Sequence, residues 1–240
     1  MAGALWWGVL ASASLFLGQL LARPLSGNHR ATGLIMGFGA GTLLSAISYE
    51  LVPEANLADA VRVGIGMFAG ATLYYLGDRL LDRRGAGSRH EIRPSGAEGS
   101  GAAMFVGALL DGVPESFILG VGLATGGAIS VAFLVAVFVS NVPQGVAGTT
   151  GLRDAGYGGG RIFAMWSGLT IASGLASVLG YVLAGRVPNE GLDVKAFAAG
   201  ALLMMLADSM IPEAYKNGGR AVGFLTVCGF LTAAALSLIQ

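Results

Sequence analysis

The stretch "FILGVGLATGGAISVAFLVAVFVSNVPQGVAGTTGL", Phe117–Leu152, contains 36 consecutive residues without a charged side chain. A helix crosses the hydrocarbon core of a bilayer with about 20 apolar residues, so this run is long enough to belong to two crossings. The glycine-containing segment Ala124–Ser130 divides the run and has the composition of a turn. The stretch therefore predicts the end of one membrane helix, a turn and a second membrane helix.

The composition of the whole chain agrees with this prediction. The 240 residues are 54% hydrophobic and 12% charged, and the formal net charge is zero. Soluble domains carry about 25% charged residues, so the composition is typical of a membrane protein. The absence of net positive charge argues against nucleic acid as a partner. Neither a phosphate-binding G-x-x-x-x-G-K-[ST] motif nor an H-E-x-x-H motif occurs, and we expect no enzymatic activity and no bound cofactor.

The same spacing of apolar runs predicts an all-α polytopic fold with eight transmembrane helices in a single domain, residues 1–240. The predicted spans cover about 2–22, 31–53, 62–81, 100–123, 129–151, 162–185, 195–213 and 221–240. The polar loop at 82–99 connects the third and fourth spans.

The arginine and lysine residues predict the orientation of these spans. With the N-terminus outside, 11 of them fall in cytoplasmic loops and 3 in outside loops. Such an excess of positive charge is typical of cytoplasmic loops. We therefore expect a multi-pass protein of the plasma or inner membrane, with both termini outside and the loop at 82–99 in the cytoplasm.

Two of the predicted spans resemble each other. "FGAGTLLSAISYELVPEA" (Phe38–Ala55) and "FAAGALLMMLADSMIPEA" (Phe197–Ala214) are identical at 8 of 18 positions with a constant offset of 159. An odd number of crossings separates these two spans, so they run in opposite directions. Similar helices of opposite direction are typical of an inverted repeat. We expect a 3+2+3 arrangement, with the fourth and fifth spans as the central pair.

The central pair carries the candidate site. Asp111 and Glu115 in "DGVPES" are four residues apart and share one face of the fourth helix. Ser140 and Gln144 in "SNVPQG" have the same spacing on the fifth helix, with Asn141 beside them. If the two faces meet, carboxylate, amide and hydroxyl oxygens form one cluster.

Each of these helices also contains a proline, Pro114 or Pro143. Proline removes a backbone hydrogen bond inside a helix, which is tolerated in a membrane where the backbone faces protein or a wet cavity. Interrupted helices at corresponding positions indicate the binding site of a transporter. We therefore expect Pro114 and Pro143 to kink the fourth and fifth helices and to loosen the backbone carbonyls of Leu110 and Val139, either at a binding site or as simple kinks.

Each charged side chain at membrane depth costs on the order of 2.5–3.5 kcal/mol of insertion free energy, and this cost must be compensated. A divalent cation or a proton could compensate Asp111 and Glu115, and hydrogen bonds in a purely structural cluster are the alternative. Asp208 either points into the same cavity or lies at the interface near a helix end. Glu50 either lines an entrance or is a solvated helix end.

The motifs resemble those of the ZIP family of metal transporters. "GAGTLLSAISYELVPEA" is similar to the second helix of that family. "DGVPES" stands where the family carries H-N-x-P-E-G, and "SNVPQG" stands where it carries H-E-x-P-H-E or Q-D-x-P-E-G. The histidine and asparagine of the first motif are replaced here by Asp111 and Gly112, whereas Glu115 is retained.

The resemblance implies a metal site between the fourth and fifth helices and a homodimeric assembly. It also aligns Ser177 with a glutamate of the sixth span that often completes the site. The implied metal-binding residues are Asp111, Glu115, Ser140, Asn141, Gln144 and Ser177. Because these side chains offer only oxygen ligands, and oxygen suits hard ions, we expect either a shift toward manganese, magnesium or calcium or a low affinity for zinc.

The predicted function is transport of divalent cations (zinc, manganese, iron or a related ion) toward the cytoplasm, with the metal ion and the lipid bilayer as partners. Two alternatives remain open at this point. One is a proton-coupled exporter of a small organic solute that uses Asp111 and Glu115 as a proton relay. The other is a non-transporting member of the family with a structural or sensing role.

Overall fold

The computed structural model describes residues 1–25, 28–52, 60–81, 101–126, 130–186 and 192–239. The predicted cytoplasmic loop at 82–99 and the shared P-E-A sequence at 53–55 lie outside these residues. The described residues form helices and no strand. The α-helices are α1 (Ala2–Ser12), α2 (Ser14–Leu21), α3 (His29–Ala46), α4 (Ala60–Leu81), α5 (Gly101–Gly126), α6 (Val131–Asp154), α7 (Gly159–Ala184), α8 (Leu192–Met205), α9 (Ile211–Gly218) and α10 (Ala221–Ile239).

The structure confirms an all-helical, multi-pass membrane protein at this level of detail. Among the described residues, seven helical segments are long and apolar enough to cross a membrane. They cover Ala2–Leu21, His29–Leu51, Phe105–Thr125, Val131–Asp154, Gly159–Ala184, Asp193–Gly218 and Ala221–Ile239. The 22-residue helix α4, which was predicted as the third span, is not among the seven.

Local sequence determines where several helices begin. The side chain of Asn28 accepts a hydrogen bond from the backbone N–H of Ala31, at 3.1 Å, and thereby caps α3. Ser130 caps α6 in the same way, by accepting from the backbone N–H of Phe133 at 3.0 Å. The predicted turn at Ala124–Ser130 therefore ends at a helix cap.

Neither proline interrupts its helix. Helix α5 continues through Pro114, and α6 continues through Pro143. Each proline removes one backbone hydrogen bond, but the neighbouring helices hold the backbone on both sides of it in helical conformation. The irregular backbone lies elsewhere, in two π-helical segments, Ile47–Leu51 after α3 and Leu206–Met210 after α8.

These two π-helical segments occupy corresponding positions. Each is five residues long, and their bounds differ by the same offset of 159 that relates the two similar spans. π-helical turns are rare and occur frequently at functional sites. The sequence similarity therefore extends to an unusual local conformation.

Close contacts of glycine follow the same offset. A side chain on Gly41 of α3 would overlap the backbone carbonyl of Thr226 in α10, and one on Gly200 of α8 would overlap that of Met67 in α4. Gly200 follows Gly41, and Thr226 follows Met67, by 159 residues. Helix α3 therefore packs on α10 as α8 packs on α4, because only glycine lets these backbones approach so closely.

The helices around the candidate site show a second correspondence. A side chain on Gly18 of α2 would overlap the carbonyl of Val142 in α6, and one on Gly180 of α7 would overlap that of Phe117 in α5. Gly180 follows Gly18 by 162 residues, and Val142 follows Phe117 by 25 residues. Pro143 follows Pro114 by 29 residues, which is 4 more than 25. The two prolines are therefore displaced by about one helical turn from corresponding positions.

Burial places α3 and α6 at the centre of the helical bundle. In the spans His29–Leu51 and Val131–Asp154, 67% of the most apolar window is buried, compared with 22% in Ala221–Ile239. The corresponding share for Phe105–Thr125 is 56%. Helices α3, α5 and α6 therefore lie inside the bundle, whereas α10 presents most of its surface to the surroundings.

Candidate functional site

The predicted carboxylate pair faces the interior of the protein. Asp111 is 3% exposed and Glu115 is not exposed at all, and both lie on α5. Ser140 and Asn141 of α6 are buried to the same degree, and their side chains lie near the Glu115 carboxylate without forming a hydrogen bond to it. The structure thus brings together the polar faces of α5 and α6, as the two four-residue spacings predicted.

Asp111 is held from two neighbouring helices. The hydroxyl of Tyr74, on α4, donates a hydrogen bond to Oδ1 at 3.0 Å. The side-chain amide of Gln144, on α6, lies at 3.5 Å from Oδ2, at the outer limit of a hydrogen bond. Both groups donate toward the carboxylate, so other side chains of the protein compensate the burial of the Asp111 charge.

Glu115 has no such compensation among the described residues. Neither of its carboxylate oxygens accepts a hydrogen bond. Ser140 donates its hydroxyl to the backbone carbonyl of Val137 at 2.9 Å instead, and Oδ1 of Asn141 is also without a donor. Burying an uncompensated carboxylate costs several kcal/mol, so the site favours binding of a positive charge or a proton at Glu115.

Ser177, the sixth residue of the predicted set, lies at a helix contact. Its backbone carbonyl is approached by Gly120 of α5, and its Cβ lies 2.8 Å from the position that a Cβ on Gly8 of α1 would occupy. Ser177 is fully buried, and its hydroxyl has no hydrogen-bond partner among the described residues. On α7, Ser173 is next to the carboxylate-bearing turn, because its hydroxyl lies 3.6 Å from the Cβ position of Gly112.

Several further hydroxyl groups are buried without a described partner. They come from α1, α3, α5 and α7, and the sequence indicated only that such small residues pack helices closely. The residues are Ser12, Ser45, Ser116, Thr170, Ser173 and Ser177. Most buried polar groups in proteins are hydrogen-bonded, so unpartnered hydroxyl groups stand out in this interior. Two of them, Ser116 and Ser173, lie beside the turn of α5 that carries Asp111 and Glu115.

Tyr74 is the main site residue that the sequence did not single out. It is 8% exposed, donates a hydrogen bond to Asp111, and lies near Asp78 on its own helix and near Ser209 in the second π-helical segment. Asp78 is also buried. The available signal was a tyrosine in an apolar span, one helical turn before an aspartate, but such a residue is more often an interface anchor.

Two other acids lie away from the carboxylate pair. Asp208 is exposed, so it is not buried beside Asp111 and Glu115. Glu50 is partly buried, and its carboxylate accepts a hydrogen bond from the hydroxyl of Ser237 at 2.7 Å. Glu50 thus joins the end of the first π-helical segment to α10.

The chemistry of the candidate site is restricted to oxygen ligands. Within the described parts of the chain, no group of three or more histidine, cysteine, aspartate or glutamate side chains is placed to hold a metal ion. The site consists of two carboxylates with amide and hydroxyl oxygens. Such ligands suit manganese, magnesium and calcium better than zinc.

No protein-family model matches the chain, and no curated protein is significantly similar to it. The relation to ZIP transporters thus stays a prediction that rests on the motifs of α3, α5 and α6.

Proposed function

We propose that the protein transports divalent metal cations across a membrane, through a site between α5 and α6. The observation that carries the proposal is the fully buried Glu115 carboxylate, whose two oxygens lack partners among the described residues. Asp111 lies one turn away, and Ser140 and Asn141 face the carboxylate from α6. A cation bound here would be neutralised by two carboxylates and contacted by neutral oxygens.

Eight spans fit the proposal if α4 also crosses the membrane. Its 22 residues extend about 33 Å, which is sufficient for the hydrocarbon core. Its charged residues, Arg62, Asp78 and Arg79, lie toward the two ends. With eight crossings, both termini lie on the same side of the membrane. In the plasma or inner membrane, the excess of arginine places the arginine-rich loops in the cytoplasm and both termini outside.

An inverted 3+2+3 repeat accounts for the paired contacts. The offset of 159 relates α3 to α8 and α4 to α10, including the π-helical segments, and the offset of 162 relates α2 to α7. The central helices α5 and α6 exchange places under the same relation. ZIP transporters have this architecture, so the contacts support membership of that family.

The repeat suggests how the site opens to the two sides. In transporters with inverted repeats, one helix group moves against the other around a central site. The proposed direction is from outside, past α5 and α6, toward the cytoplasm. Tyr74, which bonds Asp111, lies one turn before Asp78 on α4, so polar side chains continue from the carboxylate pair toward the end of α4 that precedes the loop at 82–99.

The ligand set favours a hard cation such as manganese. Imidazole and thiolate, which select zinc, are absent from the described site residues, whereas carboxylate, amide and hydroxyl oxygens are present. We therefore expect manganese to be transported at lower concentration than zinc.

The test is metal uptake into liposomes that contain the purified protein. Wild-type protein should accumulate manganese, and Glu115→Gln should reduce the initial rate at least tenfold, because the bound cation loses a carboxylate in a buried site. Asp208→Asn is the matched control, since Asp208 is an exposed acid within a span. Equal uptake by wild type and Glu115→Gln would exclude the proposed site.

A proton-coupled exporter of small solutes is the second candidate. The Tyr74–Asp111 hydrogen bond favours it, because a hydroxyl on a buried carboxylate can take part in proton transfer. In the same liposomes, this candidate predicts proton flux whose rate does not depend on added metal ions. Absence of both metal and proton flux would instead support a non-transporting role.

A further inference from the structure

A pocket of about 330 Å³ lies where α2, α6 and α7 meet at one face of the bundle. It is independent of the carboxylate pair. Its walls combine apolar and cationic side chains, and they are formed by Phe16, Gln19, Leu20, Arg23, Arg153 and Phe163.

The two arginines are placed at the level where a membrane helix leaves the hydrocarbon core. Arg153 is in the last turn of α6, and Arg23 follows the end of α2 by two residues. Within the described chain, neither guanidinium forms an ion pair or a hydrogen bond. The nearby Arg161 differs, because its guanidinium lies over the ring of Tyr157 at 4.5 Å from the ring centre.

The apolar part of the pocket is continuous with the lipid-facing surface. The rings of Phe16 and Phe163 pack together with centres 5.1 Å apart, and Leu20 is 74% exposed. Helices α2 and α6 approach closely through Gly18 and Gly145, so the end of one helix stays beside the end of the other. The two guanidinium groups therefore lie at the same end of the bundle, beside an apolar wall.

We propose that this pocket binds one phospholipid with an anionic headgroup. The phosphate lies between Arg23 and Arg153, and the side-chain amide of Gln19 lies within the same pocket as a further polar group. An acyl chain lies along Phe16, Leu20 and Phe163. Basic pockets between membrane helices, on the side where arginine is enriched, recognise anionic headgroups by this chemistry.

Native mass spectrometry of the purified protein with equimolar phosphatidylglycerol and phosphatidylcholine tests the proposal. Wild type should retain phosphatidylglycerol preferentially. Each of Arg23→Gln and Arg153→Gln should weaken its retention about fivefold, and the double variant about 25-fold. Arg23→Lys with Arg153→Lys should retain most of the preference, and it controls for folding because the charge is kept.

Arg161→Gln is the control for general surface charge, because Arg161 lies on the same face but is stacked on Tyr157. A loss of retention in Arg161→Gln equal to that in Arg153→Gln would overturn the proposal, as would equal retention of the two lipids by wild type. Millimolar inorganic phosphate distinguishes a lipid site from a simple anion site. Displacement of phosphatidylglycerol by phosphate alone would overturn the lipid as occupant.

Discussion

The hydroxyl of Tyr74 donates a hydrogen bond to the carboxylate of Asp111 at 3.0 Å, and both residues are buried. The bond joins α4, whose partner along most of its length is α8, to the carboxylate-bearing turn of α5. Because α8 leads into the second π-helical segment, this contact links the candidate site to that segment.

Tyr74→Phe should therefore lower the stability of the fold and also affect metal binding at the site. The substitution keeps the ring and leaves Asp111 without its shorter hydrogen bond. Hydrogen bonds to charged groups contribute about 1.5–3 kcal/mol, so we expect a lower free energy of unfolding by about that amount. Thermal unfolding in detergent measures the change, and Tyr75→Phe on the same helix is the control. An unchanged melting temperature would contradict the contact.

Glu115→Gln should raise the stability of the metal-free protein, because it replaces a buried carboxylate that lacks a described partner by a neutral amide. It should also remove stabilisation by manganese. Saturation at 100 times the dissociation constant stabilises a folded protein by about 2.7 kcal/mol, so wild type should melt at a higher temperature with manganese. The same shift in the variant would show that the ion binds elsewhere.

Gly41→Ala and Gly200→Ala should destabilise the protein by similar amounts. A Cβ at either position overlaps the backbone of the packed helix, so the helices must separate, at a cost of about 1–3 kcal/mol or more. Gly64→Ala is the control, because no atom lies within 4 Å of its Cβ position, and it should be neutral or slightly stabilising. Loss of stability in only one of the two variants would contradict their correspondence.

Arg62→Gln should change stability only slightly. The guanidinium of Arg62 bonds the carboxylate of Asp193 with its Nε at 2.6 Å from Oδ1, but both side chains are 43% exposed. Exposed ion pairs contribute about 0–1 kcal/mol and are weakened by salt. Unfolding measured at low and high salt should show a small difference between wild type and variant that declines with salt. A loss above 2 kcal/mol would mean that the pair fixes α4 on α8.

Local patterns in the sequence were sufficient to predict the class of fold and part of the site. The uncharged run Phe117–Leu152 predicts membrane helices, because length and apolarity alone decide whether a helix can cross a bilayer. The spacing of Asp111 and Glu115 predicts one shared face, because the helical period is constant. The offset of 159 identifies two similar spans, whose π-helical segments and glycine contacts correspond in the structure.

Tertiary structure decided which faces meet. Local patterns do not specify how far each helix is rotated against its neighbours, so they did not predict the bond of Tyr74 to Asp111 or the position of Ser177 between Gly8 and Gly120. The effect of the two prolines also depended on tertiary structure. Proline weakens a helix locally, but the packing of neighbouring helices determined that α5 and α6 continue, and that the irregular turns follow α3 and α8 instead.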